Sequence, residues 1–364
     1  MGNLVATPEL APAEYEEWQQ TRTTGIGGSD VAAIVGLSPW AGRFDVYASK
    51  VHGHTIDDNQ AMRWGRVLEP VVATEWARDH DMCVISAPVT WRSNSRPWAI
   101  ANVDRFVLTE SPFDRSETLT HPDLGGLLSK AELLAECARM LEAGDVAVLE
   151  VKTTGEWSAD RWVDDNGAPK VPDYYQIQVQ HYLDVLGLER AFVAVLIGGR
   201  DLRSVPVERD DDAIGMIREV VDWFWHEHIV ARVEPEADML ARDTLKSMYR
   251  DVVDDDPVVL PPAARGFVET RAALKAEQKA LDEQIDAIDA RFMQWLKDRT
   301  AGVLEDSTSG KPAVTWKPQA GRPDMAAIRA DVEFAAIAEQ FAALEDKHRR
   351  PDSRVLRFAR GGAR

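Results

Sequence analysis

The sequence has little cysteine: Cys83 and Cys137 stand far apart among 364 residues and show no CxxC spacing. That pattern excludes a disulfide framework and a cysteine-ligated zinc or iron–sulfur centre, and both thiols read as ordinary buried residues. The eight histidines offer no HxxxH pair, and His226 and His228, two apart on a helical stretch, face different ways, so zinc is not expected. No run of about 18 apolar residues is present, which excludes a membrane-spanning helix. The opening MGNLVATPELAPAEYEEW has no basic stretch leading into an apolar core, so no signal peptide is read and a cytoplasmic location is expected. Basic residues are also scarce, with 42 Lys and Arg against 61 Asp and Glu and a formal charge of −19. A surface coated for nonspecific nucleic-acid binding is thereby excluded, because phosphate contacts need Lys and Arg. Any such contact must be local, along one basic channel in an acidic exterior.

What is present is enough apolar material, 45% of residues, to fill a sizeable core. In GIGGSDVAAIVGLSPW, Ser29 and Asp30 can cap a short helix. A second helix spans about residues 61–80, with Pro70 either starting its regular part or kinking it. Strand-like segments at 89–92, 98–103 and 105–108 read as a meander. Residues 109–145, with eight acidic side chains against three basic, look like a surface insertion. DVAVLEVKTT reads as a buried strand, PDYYQIQVQHYLDVLG as a helix closed by Gly187, RAFVAVLIGG as a further strand, and DAIGMIREVVDWFWHEHIVAR as the helix completing the core near residue 232. Within it, Trp223, Phe224 and Trp225 read as core. Beyond DVVDDDP, residues 262–298 form a long helical segment with Phe267, Leu274, Leu281, Ile288 and Trp295 at seven-residue spacing. The companion seam is mixed, Arg271 and Gln278 before Ile285 and Phe292, so an antiparallel helix pair, packing on the core and a dimeric coil all remain open. A hairpin is expected at 303–318, and the tail from Arg349 carries six arginines against Asp352. The expected division is a domain at 1–255 and an accessory region at 256–364.

Chemistry concentrates in Glu150-Val151-Lys152. On a strand, a period of two puts the carboxylate and the ammonium on one face and sends Val151 into the core. Upstream, Asp104 lies between strand-like stretches in IANVDRFVL. Carboxylates in this number can hold hard divalent cations, which neutralise a scissile phosphate and activate water. Asp104 and Glu150 would be ligands, the Val151 carbonyl a further oxygen donor, and Lys152, either lowered in pKa or simply hydrogen-bonded to the water, would serve the nucleophile. Glu-x-Lys on a strand also fits an ordinary salt bridge. Its company is what separates the readings: Glu69 in RWGRVLEP, and Gln178 with Tyr182 one turn apart on one helix face.

In order, GIGGSDVAAIVGLSPW, WGRVLEP, NVDRFV, LEVKTT and YYQIQVQHYLDVLG resemble the YqaJ-type viral recombinase nucleases, relatives of lambda-type alkaline exonuclease in the PD-(D/E)xK superfamily, over roughly residues 20–232. The resemblance implies an α/β restriction-endonuclease-like core, a central mixed sheet flanked by helices, followed here by a helical and hairpin C-terminal region. It implies a metal-dependent exonuclease that resects duplex DNA 5′ to 3′, with two Mg²⁺ ions, or Mn²⁺, at Glu69, Asp104, Glu150 and Val151. By the same resemblance Lys152 and Gln178 would complete the catalytic set, and Arg22 and Ser29 would hold the terminal 5′-phosphate. A serine hydroxyl, helix N-terminal amides freed by Gly27 and Gly28, and a guanidinium make a reasonable phosphate cradle in their own right, although Ser29 alone also fits a plain N-cap. Double-stranded DNA ends, a phage-type single-strand annealing protein and a ring-shaped homotrimer are the implied partners. The long interval between Asp104 and Glu150, and the region after about residue 255, depart from the pattern. Rival readings are a RecB- or Cas4-like nuclease of other polarity, disfavoured by the missing iron–sulfur cysteines, and a catalytically idle DNA-end-binding module, disfavoured by the intact Asp104, Glu150 and Lys152.

Overall fold

A computed structural model describes residues 21–55, 59–86, 90–108, 146–251, 257–307, 310–321, 323–331 and 333–348. The insertion at 109–145, Cys137 within it, and the basic tail lie outside these residues. The chain divides into two compact units, Met1–Met248 and Tyr249–Arg364.

The first unit is built on a five-stranded mixed sheet whose strands are β1 (Cys83–Ser86), β4 (Arg105–Leu108), β5 (Val146–Thr154), β6 (Arg190–Ile197) and β7 (Asp201–Glu208), side by side in that order. β1, β4 and β5 pair antiparallel, β5 and β6 parallel, and β6 and β7 antiparallel. The parallel step needs a crossover, which helix α4 (Asp173–Leu186) supplies before Gly187 ends it in the left-handed conformation, φ 69°. The expected meander is corrected. Trp91–Arg92 (β2) and Ile100–Ala101 (β3) form a separate ladder, while β4 pairs with β1, a strand that the pattern of residues does not mark.

β5 separates two cores. Val146 and Val148 pack with Val179 and Leu183 of α4, while Ala147, Leu149 and Val151 pack with Val72, Ala73 and Trp76 of helix α3 (Gln60–Asp79). Pro70 lies inside α3, whose start is capped instead by Asn59, its Oδ1 accepting the Met62 amide at 3.0 Å. Helices α1 (Gly28–Ile34) and α2 (Arg43–His52) share a third cluster with α5 (Asp211–Phe224), in which Phe224 is fully buried. Trp225 packs against that cluster at the start of a π-helical turn (Trp225–Val230), whereas Trp223 is exposed beneath the Arg43 guanidinium. Cys83 is half-buried on β1, and burial pushes its thiol up. A short helix α6 (Ala241–Met248) closes the unit.

The second unit contains the 33-residue helix α7 (Ala264–Leu296), a two-stranded ladder of β8 (Ala301–Gly302) with β9 (Val314–Thr315), and short helices α8 (Met325–Ala330) and α9 (Ala338–Lys347). The hairpin thus begins two residues before the expected span. The five seam residues of α7 are exposed, Phe267 by 76% and Trp295 by 70%.

Candidate active site

β5 places the chemistry. Its alternation puts Glu150 and Lys152 on the face that Val146 and Val148 have already committed to α4, so the same row changes from core to site within one strand. Glu150 is 2% exposed. Its Oε1 accepts hydrogen bonds from Lys152 Nζ at 2.5 Å and Gln178 Nε2 at 2.6 Å, and Gln178 also donates to the Tyr182 hydroxyl at 2.9 Å. The second oxygen, Oε2, is buried with no partner.

Asp104 occupies the bend before β4. The β4–β5 ladder ends at the Arg105–Leu149 pair, and Asp104 Oδ2 then accepts the Val151 amide at 2.8 Å. This satisfies a buried donor that has run out of strand partner and sets the Asp104 carboxylate beside Glu150. The cost is electrostatic. Burial and then the Asp104 charge push Glu150 up to about 8, against the pull of Lys152. Burial opposes the Lys152 ammonium, but Glu150 and Asp104 outweigh it and raise its pKa. Of the two states left open for Lys152, this direction favours the hydrogen-bonding ammonium, which lies 4.6 Å from the Tyr175 ring centroid.

Asp104, Glu150, Lys152, Gln178, Arg22 and Ser29 all line one cavity of about 300 Å³. Glu69 does not line it. Its Oε1 accepts from Arg105 Nη1 at 2.6 Å, and burial followed by Asp104 raises its carboxyl to about 7, so it stands within electrostatic reach on the flank.

The N-cap reading of Ser29 is corrected. Gly27 caps α1, and the Asp30 carboxylate reaches back to the Gly27 amide at 2.8 Å, so that donor is not free for a ligand. Relieved of capping, the Ser29 hydroxyl accepts from Arg22 Nη2 at 3.3 Å. Lys50 of α2 secures this corner, pairing with Asp30 at 2.7 Å and donating to the Arg22 carbonyl at 2.8 Å. Gly28 lets α1 lie against α4, since a Cβ there would come within 2.6 Å of Tyr182 Cε1 and 2.8 Å of Gln178 Cγ. The fully buried His181 holds the same contact, its Nε2 lying 3.2 Å from the Ile26 carbonyl and 3.1 Å from that of Ile100.

Reasoning from residue types missed Lys50, which reads as a surface lysine, and Trp40, Tyr174 and Asn102 of the cavity wall. Trp40 meets Tyr174 edge-on at 5.0 Å between ring centroids. Both lie in motifs that carry the resemblance, the one signal for them in the sequence.

As metal donors, the Asp104 and Glu150 carboxylates and the Val151 carbonyl are hard oxygens suited to Mg²⁺, and the unpartnered Glu150 Oε2 is a donor waiting for a cation. Among the described residues no three His, Cys, Asp or Glu side chains converge as a ready metal cluster.

Sheet and crossover helix define a mixed α/β protein with a central five-stranded mixed sheet flanked by helices, on which the Asp…Glu-x-Lys centre is set. Residues 17–189 match the model of the YqaJ-like viral recombinase domain. Over these 173 of 364 residues the chain is similar to that family. It is 28% identical over 309 residues to the uncharacterised protein YqaJ of Bacillus subtilis (strain 168), covering 83% of each chain. Similar solved structures include an alkaline exonuclease from Laribacter hongkongensis, at 19% identity and TM-score 0.43, covering 63% of this chain and 98% of that one. Another is a phage-related exonuclease from Haemophilus somnus 129PT, at 11% identity and TM-score 0.38, covering 59% and 99%. No helix among the described residues is long and apolar enough to cross a membrane.

Proposed function

We propose that this protein is a divalent-cation-dependent DNA exonuclease that digests duplex ends 5′ to 3′ and leaves a 3′ single strand for a phage-type annealing protein. The observation that carries the reading is that two sets of residues, one suited to cations and one to a terminal phosphate, line a single cavity. Asp104, Glu150 and the Val151 carbonyl would hold Mg²⁺, two ions in the family's pattern, with Glu69 adding negative charge from the flank. Bound divalent cations supply charge neutralisation at the scissile phosphate and a more acidic water.

The chain's own groups do the rest. Lys152, held charged by its carboxylate neighbours, acts as a hydrogen-bond donor and positive charge towards the attacking water or phosphate oxygens. Gln178 fixes the Glu150 carboxylate through its 2.6 Å bond. Arg22 and Ser29, already in contact, grip the 5′-phosphate with a charge-assisted pair. A phosphate fixed at that corner limits cutting to the bond next to the end, and polarity follows. Residues 1–255 would form the exonuclease domain and 256–364 an accessory region.

The test is incubation of the purified protein with duplex labelled at either end, with Mg²⁺, with Mn²⁺ and with chelator. Cation-dependent release of nucleotides from 5′ ends is expected. Release from 3′ ends, or equal release in chelator, contradicts the reading.

A further inference from the structure

One wall of the cavity carries a chemistry that neither cations nor a phosphate would use. Beside the charged groups Arg22, Asp104, Glu150 and Lys152, three adjoining rings line it: Trp40, Tyr174 and Tyr175. Trp40 meets Tyr174 edge-on at 5.0 Å and lies tilted by 35° to Tyr175 at 6.0 Å, and the two tyrosine rings are 4.5 Å apart between centroids. The tyrosines are half-buried, and Trp162 packs on Tyr175 at 5.6 Å. Trp40 is 62% exposed. An indole that served only to close a core would be covered, whereas this one touches two rings and leaves most of its surface open.

That surface is fixed relative to the phosphate grip. Ser29 and Ala32 lie one turn apart on α1, and both line the cavity. The Ala32 carbonyl accepts the Leu37 and Ser38 amides at 2.9 and 3.0 Å, and the Ser38 hydroxyl in turn accepts the Trp40 and Ala41 amides at 3.2 and 3.3 Å. These bonds tie the turn that bears Trp40 to the helix that bears Ser29. Tyr174 is anchored elsewhere, one turn before Gln178 on α4, the helix that steadies Glu150.

We propose that, given the exonuclease reading above, Trp40 backed by Tyr174 is the stacking platform for the base of the 5′-terminal nucleotide. A nucleotide joins an anionic phosphate to a flat ring, and the cavity offers a partner for each, the Arg22–Ser29 pair and the indole. Its volume of about 300 Å³ suits one such unit rather than a duplex. Every base has a π-face, so the platform accepts all four bases without hydrogen-bond readout.

The test is binding of the full chain, in Mg²⁺, to duplexes that carry a 5′-phosphate on an unpaired terminal nucleotide with either thymine or no base. Phosphorothioate linkages at that end keep it from being cut, and fluorescence anisotropy reads the affinity. The wild type should bind the thymine-bearing end about 5- to 150-fold more tightly, the range for one base stacked on an aromatic side chain. Trp40→Ala should lose that advantage by weakening the thymine-bearing end alone, and Trp40→Phe, which keeps a ring, should retain most of it. Adenine, guanine or cytosine in place of thymine should give the same pattern. Equal binding of both ends by the wild type, equal weakening of both by Trp40→Ala, or an effect confined to one base overturns the platform and leaves the exonuclease reading in place. Failure to bind any 5′-phosphorylated end overturns both.

Discussion

Helices α4 and α7 bury opposite things. α4 is 14 residues long and buries Gln178, Gln180, His181 and Asp184, polar side chains that all have partners: Glu150 and Tyr182, the Glu208 carbonyl and Asp210 amide, the Ile26 and Ile100 carbonyls, and Arg96 with Arg218. α7 is more than twice as long and leaves its apolar side chains outside. A buried polar group without a hydrogen bond costs several kcal/mol, so a helix that buries four is tied to one environment. A helix that exposes an apolar seam is tied to no single environment by its own contacts. The first arrangement builds a site, and the second leaves an apolar seam open.

If that division holds, changes around α4 alter chemistry while leaving the second unit alone. The largest effect belongs to Glu150→Gln and Asp104→Asn, which keep shape but remove the charges that would hold cations. Cation-dependent cleavage should fall to background, measured on end-labelled duplex, with the circular dichroism spectrum kept. Lys152→Ala should follow with a loss of on the order of 10²-fold in turnover and a smaller loss in DNA binding. Equal losses in both would reduce Lys152 to a phosphate contact.

A smaller effect tests the contact between α1 and α4. Gly28→Ala pushes a methyl group into Tyr182 and Gln178, and overpacking of this kind costs about 1–3 kcal/mol. The midpoint of urea unfolding should drop accordingly, and cleavage should drop with it because Gln178 must shift. A variant as stable and active as the wild type would show that the two helices are free to separate.

The smallest effect is in pH. Glu150 is held near 8 and Glu69 near 7, both above the ordinary carboxylate value, so between pH about 4.5 and 8 the folded state binds more protons than the unfolded chain. Stability of the chelated protein should therefore decline as pH rises through that window. Glu150→Gln should flatten the decline in thermal midpoints. A midpoint that rises from pH 5 to 8 would mean that the carboxylates are not in conflict.

Most of the first unit was legible because its strongest elements obey one period each. β5 and β6 are apolar runs of strand length, and α4 carries its stop signal in Gly187. β7 was not legible: it is an edge strand, mostly half-exposed, with Pro206 tolerated because an edge needs fewer ladder donors. α2 was missed although it starts as α1 does, with a glycine N-cap and an aspartate three residues on reaching back to its amide, Gly42 and Asp45 at 2.7 Å. The Gly-x-x-Asp pattern at 27–30 points by residue type to Ser29 and Asp30 as caps, because glycine offers no side chain to suggest one. In the site, Glu150, Lys152, Asp104 and Gln178 were legible as a motif. The support that holds them was not: Lys50, Tyr175 and the Gly28 contact depend on chain segments brought together only by the fold.

The central claim, that one cavity joins cation-holding carboxylates to a grip on the terminal phosphate, is tested most directly by initial cleavage rates on duplexes that differ only in a 5′-phosphate or 5′-hydroxyl, for the wild type and Arg22→Ala. The wild type should prefer the phosphorylated end. Arg22→Ala should lose most of that preference by slowing the phosphorylated substrate alone, by about 10- to 150-fold for a charge-assisted hydrogen bond of roughly 1.5–3 kcal/mol. A wild type with no preference, or a variant that slows both substrates equally, would contradict the account.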